Sequence, residues 1–509
     1  MPHRRALALR GFVHLFALLV LISLLYWFTL HRGIGGRINY GDSVKWQYLW
    51  AVNGTPHSTG YPLFLAITKA FGELFVFLEP YKRITLASLL PGIFSLVPIY
   101  IITTYFTQNQ FLRLAAPTFL AFSSTYWSQS TEPEVYTLSV FISSAGILLL
   151  LLFIESNKFG FLLASLLLYS LSLGNHLTAA LLLPAYAYGI FSSPRKNQVF
   201  RIIILIAPLL ALVSLGQYSY IYYLSHIGGR YLEYIGKDAD LLRLIDYSTG
   251  GQFRGTFGAS FSSIGLLLRQ VVKMVHTFIK DLSLPMCLTA GYAIAYCSML
   301  VIKIAAIKMR AWNSLDQERI DVLEIREKMR LVLFFASTTQ ILYALSYPII
   351  DIETYYISIY AWIIPLSISF IDDFLRLADD FAFKNSVKLA TYTIISLLLM
   401  TQLFHGYQFN KPKANNYESL AKEIFRSVPD SSFVFVDPSK VDYPLYVSLL
   451  YYSVFDESSR GIRVGRGESK ETPDFYSITK KQDIYLIQRN FNGNSAGEAR
   501  ILGKLKSFF

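Results

Sequence analysis

Long apolar runs without a single charge fix what this chain can be. Residues 84–106, 135–154 and 331–350 hold no Asp, Glu, Lys or Arg. Apolar runs of about 17 to 24 residues can cross a hydrocarbon core of roughly 30 Å as helix. Membrane barrel strands would instead be short and alternating. Charged residues make up only 16% of the chain, against about 25% in soluble domains. The expected fold class is an all-α polytopic membrane protein with a small C-terminal α/β extramembrane domain. About eleven transmembrane helices are read, at 11–30, 84–106, 111–127, 135–154, 159–175, 177–193, 201–224, 284–304, 331–350, 355–371 and 388–405. The first reads as a signal anchor, because its apolar core is long and no small-residue cleavage site follows.

The formal net charge is +12, and its location explains it. Basic residues cluster in alternate loops: Arg4, Arg5 and Arg10; Arg195, Lys196 and Arg201; Lys308 to Arg330; Arg376, Lys384 and Lys388. With the spans above, all of these fall on the side of the N-terminus. That is the positive-inside pattern, so this side is expected to be cytoplasmic. The basic excess is then a topology signal, and a nucleic-acid partner is not expected. The two cysteines, Cys287 and Cys297, sit ten residues apart in one span. On a helix that is about 15 Å along the axis, too far for a disulfide.

The same parity puts the loops 31–83 and 225–283 and the tail 406–509 outside the cytoplasm. Residues 62–78 are apolar, but Lys69 and Glu73 interrupt them; an amphipathic helix in the interface fits better than a further span. Residues 263–282, with Arg269, Lys273 and Lys280, read the same way. The expected domains are a transmembrane catalytic domain over 1–405 and a soluble α/β unit over 406–509. In the tail, 417–428 has helical period, 432–436 and 483–487 are short apolar runs of strand length, and 443–455 reads as another helix.

Polar groups gather at that outer face. The segment GDSVKWQYLWAVNGTPHSTGYP (41–62) sets Asp42, His57 and Tyr61 against the membrane surface. Glu132, Glu134 and Tyr136 occur in STEPEVYTL, Asn175 and His176 in SLGNHLTAALLLP, Gln252 and Arg254 in STGGQFRGTF, and Asp351 and Glu353 in YPIIDIETYY. Ionisable groups at membrane depth are expensive and usually functional. Each alone has an ordinary structural explanation: a cap, a solvated loop residue, a hydrogen-bonded histidine. Their convergence on one face, under a topology derived from other residues, is what singles them out.

These motifs, GDSxxWxxxWAxxGxPHxxGYPLF, EVYTL, GNHLT and YPIIDIETYY, resemble polytopic membrane proteins related to the protein O-mannosyltransferases, of the GT-C superfamily of glycosyltransferases. The resemblance runs in order from about residue 30 to 360. It implies a GT-C-like fold and a lipid-linked donor, a polyprenyl-phosphate sugar. It implies transfer on the extracytoplasmic face, an essential acid in the first outer loop, and mannose as the sugar of the related enzymes. The matching acid is Asp42. Many relatives carry an Asp-Glu pair there; here Ser43 and Lys45 follow Asp42, so the second acid must come from elsewhere, with Glu134 the candidate.

The chemistry is consistent with that. A carboxylate can take the proton from an acceptor hydroxyl as it attacks the anomeric carbon, and the leaving phosphate needs a cation or fixed dipoles. Asp42 is the expected base of an inverting transfer. His57, Tyr61, Glu134, Tyr136, His176 and Asp351 are expected to shape the acceptor or sugar site, and Gln252 and Arg254 to hold the phosphate, since guanidinium binds phosphate in bidentate fashion. The expected partners are the polyprenyl-phosphate sugar, a protein or glycan acceptor, and membrane lipid. No cofactor is required by these residues. A divalent metal stays open, although no carboxylate trio has obvious spacing for one. The rival reading, a transporter or flippase of a lipid-linked sugar, would call for internal repeats, and none is found.

Overall fold

A computed structural model describes residues 2–312, 323–413, 416–436, 443–455, 461–466, 484–489 and 499–504. Among these, eight helices are long and apolar enough to cross a membrane: Gly11–Phe28, Pro80–Thr104, Tyr136–Ser156, Lys196–His226, Leu284–Ala306, Ile325–Ser346, Glu353–Asp380 and Lys384–Asn410. The other expected spans fall on shorter apolar helices, Gln110–Phe122, Phe159–Leu173 and Leu177–Phe191. Capping explains two of the interruptions. Ser123 accepts a hydrogen bond from Tyr126 N and starts a new helix, Ser124–Thr131, inside the apolar run; a hydroxyl cap sets a helix start. His176 caps a 3₁₀ turn, Leu177–Leu182, in the same way. The chain is an integral, multi-pass membrane protein.

Apolar surface sorts the helices. Lys196–His226, Leu284–Ala306 and Lys384–Asn410 keep most of their side chains at the periphery, where a bilayer would cover them. Pro80–Thr104, Tyr136–Ser156 and Glu353–Asp380 are mostly buried and form the centre of the bundle. The ends of the bundle carry different charge patterns. Opposite the outer loops, Arg326 and Arg330 pair with Asp372, Asp373 and Glu327, and Thr107 donates to Asp372 at 2.5 Å. This network staples Ile325–Ser346 to Glu353–Asp380. Four residues read as topology signals, Arg326, Arg330, Arg376 and Lys388, are thus ion-paired; Arg319 lies outside the described residues.

The outer half has its own core. The Tyr40–Val52 and Pro62–Leu74 helices share it with Asn416–Ser427, Tyr443–Phe455 and the strands β1 (Phe433–Val436) and β2 (Arg463–Arg466). Two more strands, β3 (Ile484–Arg489) and β4 (Ala499–Lys504), complete a sheet of order β2-β1-β3-β4. β1 runs parallel to β2 and β3, and β4 antiparallel to β3. The apolar strands β1 and β3 are those expected from the tail; RVGR and ARILGK carry too many polar residues to read as strands alone. Residues 62–78 hold one short helix, Pro62–Leu74, and 263–282 hold Ile264–Leu282, whose Leu268, Val272 and Val275 are exposed.

The tail and the first outer loop are therefore one packing unit. Leu445, Leu449 and Leu450 bury in the core that holds Val44, Tyr48 and Leu49. Trp50 stacks on Phe455 with centroids 5.8 Å apart. A side chain at Gly41 would meet the Tyr443 ring at 2.6 Å, so only glycine lets the two helices cross there. Leu449→Ala should cost about 2 to 5 kcal/mol. Thermal melts in detergent should show one transition, with lowered midpoint, for tail and outer loop together; separate transitions would show two independent units.

Candidate active site

The site is built on the start of the Tyr40–Val52 helix. Asn39 caps it, accepting from Asp42 N at 3.3 Å, and this places Asp42 in the first turn, where the helix dipole favours an acid. One turn on, Lys45 Nζ lies 2.9 Å from Asp42 Oδ1 and 2.8 Å from Glu233 Oε2. The Tyr443 ring lies 5.2 Å from the same Nζ. His57 Nε2 stands 3.5 Å from Asp42 Oδ2. Asn39 Nδ2 donates to Asp42 Oδ2 at 2.8 Å and to Asp351 Oδ2 at 2.9 Å. One amide thus bridges two carboxylates that lie far apart in the chain.

The distant motifs are tied to one another by hydrogen bonds. Leu63 N donates to Gly174 O at 3.0 Å, joining the Gly-Tyr-Pro turn to GNHLT. Asn175 Nδ2 donates to Val135 O at 3.1 Å, joining GNHLT to EVYTL. The 225–283 loop folds over the His57 segment: Tyr247 OH donates to Pro56 O at 2.6 Å, and Ser58 N to Gln252 Oε1 at 3.3 Å. Gly60 has φ +85, and a side chain there would meet the Tyr247 ring at 2.5 Å. Tyr61 follows in the left-handed region, and Pro62 then starts the next helix at its preferred N-terminal position.

A cavity of about 580 Å³ opens between these elements. One side is charged, with Asn39, Asp42, Lys45, His57 and Glu233. The other is aromatic: the His176 ring lies 5.3 Å from Tyr61 and 5.4 Å from Tyr136 and Tyr355, and Tyr343, Phe257, Leu181 and Ile349 continue that wall. Asp42 keeps 22% of its side chain accessible while Lys45 keeps 5%, so a molecule in the cavity can reach the acid.

The environments push the titrating groups apart. Burial alone would raise the Asp42 pKa, but Lys45 and His57 outweigh it and hold the carboxyl well below its usual range. Burial opposes the charged forms of Lys45 and His57, but Asp42 outweighs it, and both pKa values rise. Burial pushes Glu134 up, and Asp42, Glu132 and Asp351 add to this. Burial also raises Asp351. His176 is lowered to about 3 by burial and by His57; its Nδ1 accepts from Thr178 N at 3.2 Å.

The structure brings Asp42, His57, Tyr61, Tyr136, His176, Gln252, Arg254 and Asp351 to one cavity. Glu134 sits behind this wall, buried, accepting from Ser43 Oγ at 3.2 Å. The carboxyl bridged to Asp42 is Asp351. Glu132 is paired with Arg37, whose backbone N donates to it at 2.6 Å. Arg254 stands at the cavity mouth, 60% exposed, 3.1 Å from Asp246 and 2.8 Å from Thr249 Oγ1. Asn39, Lys45, Glu233, Tyr355 and Tyr443 were not read as site residues. The Asp42–Lys45 spacing, i to i+3 on a helix, was available as a signal, as was a capping Asn before the acid. Glu233 and Tyr443 arrive from distant segments with no local signal. Among the described residues, no group of three or more His, Cys, Asp or Glu is placed to hold a metal ion.

Fold and site together define a polytopic membrane protein with a charged and aromatic cavity at one end of its helix bundle. Residues 48–199 match the family model for the N-terminal domain of the protein O-mannosyl-transferase TMEM260. That is the O-mannosyltransferase resemblance the motifs carry. The matched segment includes His57, Tyr61, Glu134, Tyr136 and His176; Asp42, Gln252, Arg254 and Asp351 lie outside it. Among solved structures, the chain is similar to ArnT from Cupriavidus metallidurans bound to undecaprenyl phosphate, at 12% identity over 94% of this chain and 92% of that one, with TM-score 0.39. The apo form of the same protein aligns at 12% identity over 94% and 93%, with TM-score 0.40. No curated protein sequence matches.

Burial, with Asp42, Glu132 and Asp351 nearby, holds the Glu134 pKa above the ordinary carboxyl range. Its stabilising contribution is complete below the ordinary carboxyl pKa and is lost as pH rises toward the raised folded value. Glu134→Gln should therefore flatten the fall of melting temperature between about pH 4 and 8 and leave turnover close to wild type. An unchanged pH slope would show that Glu134 is charged in the fold.

Proposed function

We propose that this protein is a membrane glycosyltransferase of the GT-C type. It moves a sugar, mannose on the O-mannosyltransferase resemblance, from a polyprenyl-phosphate donor to a hydroxyl of a protein or glycan acceptor. The observation that carries this reading is the ionised, partly accessible Asp42 carboxylate at the wall of a cavity half charged and half aromatic. A positioned carboxylate is the base that glycosyl transfer to a hydroxyl needs. Burial raises the Asp351 pKa while Lys45 and His57 hold that of Asp42 low, so the two acids are set apart for different jobs.

The rest of the cavity fits the other substrate parts. Aromatic faces such as Tyr61, Tyr136 and Tyr355 suit the apolar faces of a sugar ring, and their hydroxyls can meet its polar edge. Leu177, Leu181, Ile349 and Phe257 offer an apolar exit for the isoprenoid chain. Gln252 and Arg254 meet the phosphate from the 225–283 loop, where Arg254 is held in place by Asp246 and Thr249. The acceptor hydroxyl lies against Asp42, attack inverts the anomeric centre, and polyprenyl phosphate leaves.

Asp42→Asn keeps size and removes the base. With purified protein and a polyprenyl-phosphate sugar, release of polyprenyl phosphate should fall about 10²- to 10⁴-fold with yield unchanged. Near-normal turnover would move the base to Asp351. Wild-type protein that never releases polyprenyl phosphate from such donors would favour a carrier of lipid-linked sugars instead.

The cavity belongs on the extracytoplasmic side, with the N-terminus cytoplasmic, because the basic clusters lie at the other end. In a background carrying Cys287→Ala and Cys297→Ala, Ser262→Cys and Ser427→Cys should react with an impermeant thiol reagent in intact cells. Asn197→Cys and Ser386→Cys should react only after permeabilisation. The reverse pattern would turn the protein over.

A further inference from the structure

The His57 ring is fixed from both sides. Its Nδ1 lies 2.6 Å from Ser58 O. A carbonyl oxygen only accepts, so Nδ1 carries a hydrogen. Its Nε2 faces Asp42 Oδ2 at 3.5 Å. A bare Nε2 there would set a lone pair against a carboxylate. The contact is favourable only if Nε2 is protonated too, which makes the ring an imidazolium. The alternative is a protonated Asp42, and Lys45, 2.9 Å from the other carboxylate oxygen, opposes it.

The groups packed against His57 agree with a positive ring. The Tyr40–Val52 helix contributes Asp42 and Lys45, and the 225–283 loop contributes Glu233, the neutral face of Phe253 and, near it, Arg254. Tyr61 lies edge-on at 5.4 Å. The turn before Leu177 contributes His176, which stays neutral. Lys45 has a second acid, Glu233, to balance it. Asp42 is left to balance His57, and the pair of cations stands on the cavity wall beside the base.

Resting on the glycosyl-transfer reading, we propose that His57 is a catalytic imidazolium. With Lys45 it forms the inner cationic site that receives the negative charge developing on the donor phosphate. Geometry permits it. The acceptor oxygen sits about 2.8 Å from the base, and the anomeric carbon about 3 to 3.5 Å beyond. The leaving oxygen is then on the order of 6 Å from Asp42. The His57 ring, 3.5 Å from Asp42 on the same cavity wall, acts on that oxygen through its positive charge, since its two N–H groups face Asp42 and Ser58 O.

The step balances without another reactant. The acceptor oxygen forms its bond to the anomeric carbon and passes its proton to Asp42. The carbon–oxygen bond to phosphate breaks with its electron pair, and the phosphate goes from one negative charge to two. His57 and Lys45 stabilise that second charge electrostatically and keep their own protons. As Asp42 becomes neutral, the two cations lose one anionic partner and gain the phosphate in the same step. Asp42 then loses its proton to water, and the charged phosphate departs.

The test separates charge from structure. Polyprenyl phosphate carries more negative charge than the diester donor, so a cation that serves developing charge favours the product. His57→Gln keeps an N–H donor of similar reach and drops the charge. It should lower kcat roughly 10²-fold or more, weaken inhibition by polyprenyl phosphate about tenfold, and change donor KM much less. It should also remove the alkaline fall of the wild-type rate. Independently of turnover, ¹⁵N-histidine NMR of the whole protein in nanodiscs should show both His57 nitrogens protonated at pH 7, and Asp42→Asn should lower its pKa. A singly protonated His57 at pH 7, or equal losses of donor and product affinity in His57→Gln, would overturn the proposal. Wild-type protein inactive on every polyprenyl-phosphate sugar, with a doubly protonated His57, would instead sink the glycosyl-transfer reading.

Discussion

The half of this protein that holds the cavity is organised around one carboxylate set between a lysine and a histidine. Removing charges from water is costly, and only close, well-partnered geometry recovers that cost. Asp42 meets the requirement with Lys45, His57 and Asn39, and those residues need anchors in turn. Lys45 needs Glu233, from a loop nearly two hundred positions away. His57 needs Ser58 O and the 225–283 loop that covers it. The Tyr443–Phe455 helix reaches the same point and lays Tyr443 beside Lys45. Segments that a hydropathy plot shows as separate loops are ordered by the same few charges.

The aromatic half of the cavity strengthens the charged half. Tyr61, Tyr136, Tyr355 and His176 line the same cavity as Asp42 and His57 with weakly polar rings. Charges interact more strongly where the surroundings are less polarisable. The same wall explains why the His176 pKa falls while that of His57 rises. Both rings are removed from water, but only His57 has a carboxylate within reach. Identical side chains in one cavity wall thus shift in opposite directions through their neighbours alone.

Much of this was legible in the chain. Uninterrupted apolar runs gave the helices, and the charge-rich motifs gave most of the cavity, including Asp42, His57, His176 and Asp351. Boundaries were less legible where a single residue changes the local structure. Ser123 and His176 cap new helical segments inside runs that hydropathy treats as continuous. Glu134 is the second acid that the missing Asp-Glu pair suggests, and in the fold it is buried against Ser43; sequence gives no hint of which way a turn side chain points. Asp351 took the place beside Asp42 through Asn39, a contact between segments that no local pattern encodes. The tail read as a separate unit because its own helices and strands are regular. Its packing partner, the Tyr40–Val52 helix, is regular too, and only the fold brings them together.

The two ends of the bundle show how the same residue types come to do different work. At the inner end, Arg330 is buried and its guanidinium is filled by Glu327, Asp373 and Ser369. Arg326 is held by Asp372, Asp373 and backbone carbonyls. Arg326 Nε is buried without a partner, but the charged groups of this network are paired with one another, and it holds helices together. At the outer end the ratio is different. Asp42 keeps part of its surface open to the cavity, and Lys45 and His57 face it from the same wall. An arriving anion there exchanges one partner for another without exposing an unpaired buried charge, so the cost of breaking a resting ion pair is met in the step that needs it. A salt-bridge cluster is a staple when its partners are complete and a reactive site when a cavity offers one of them an alternative.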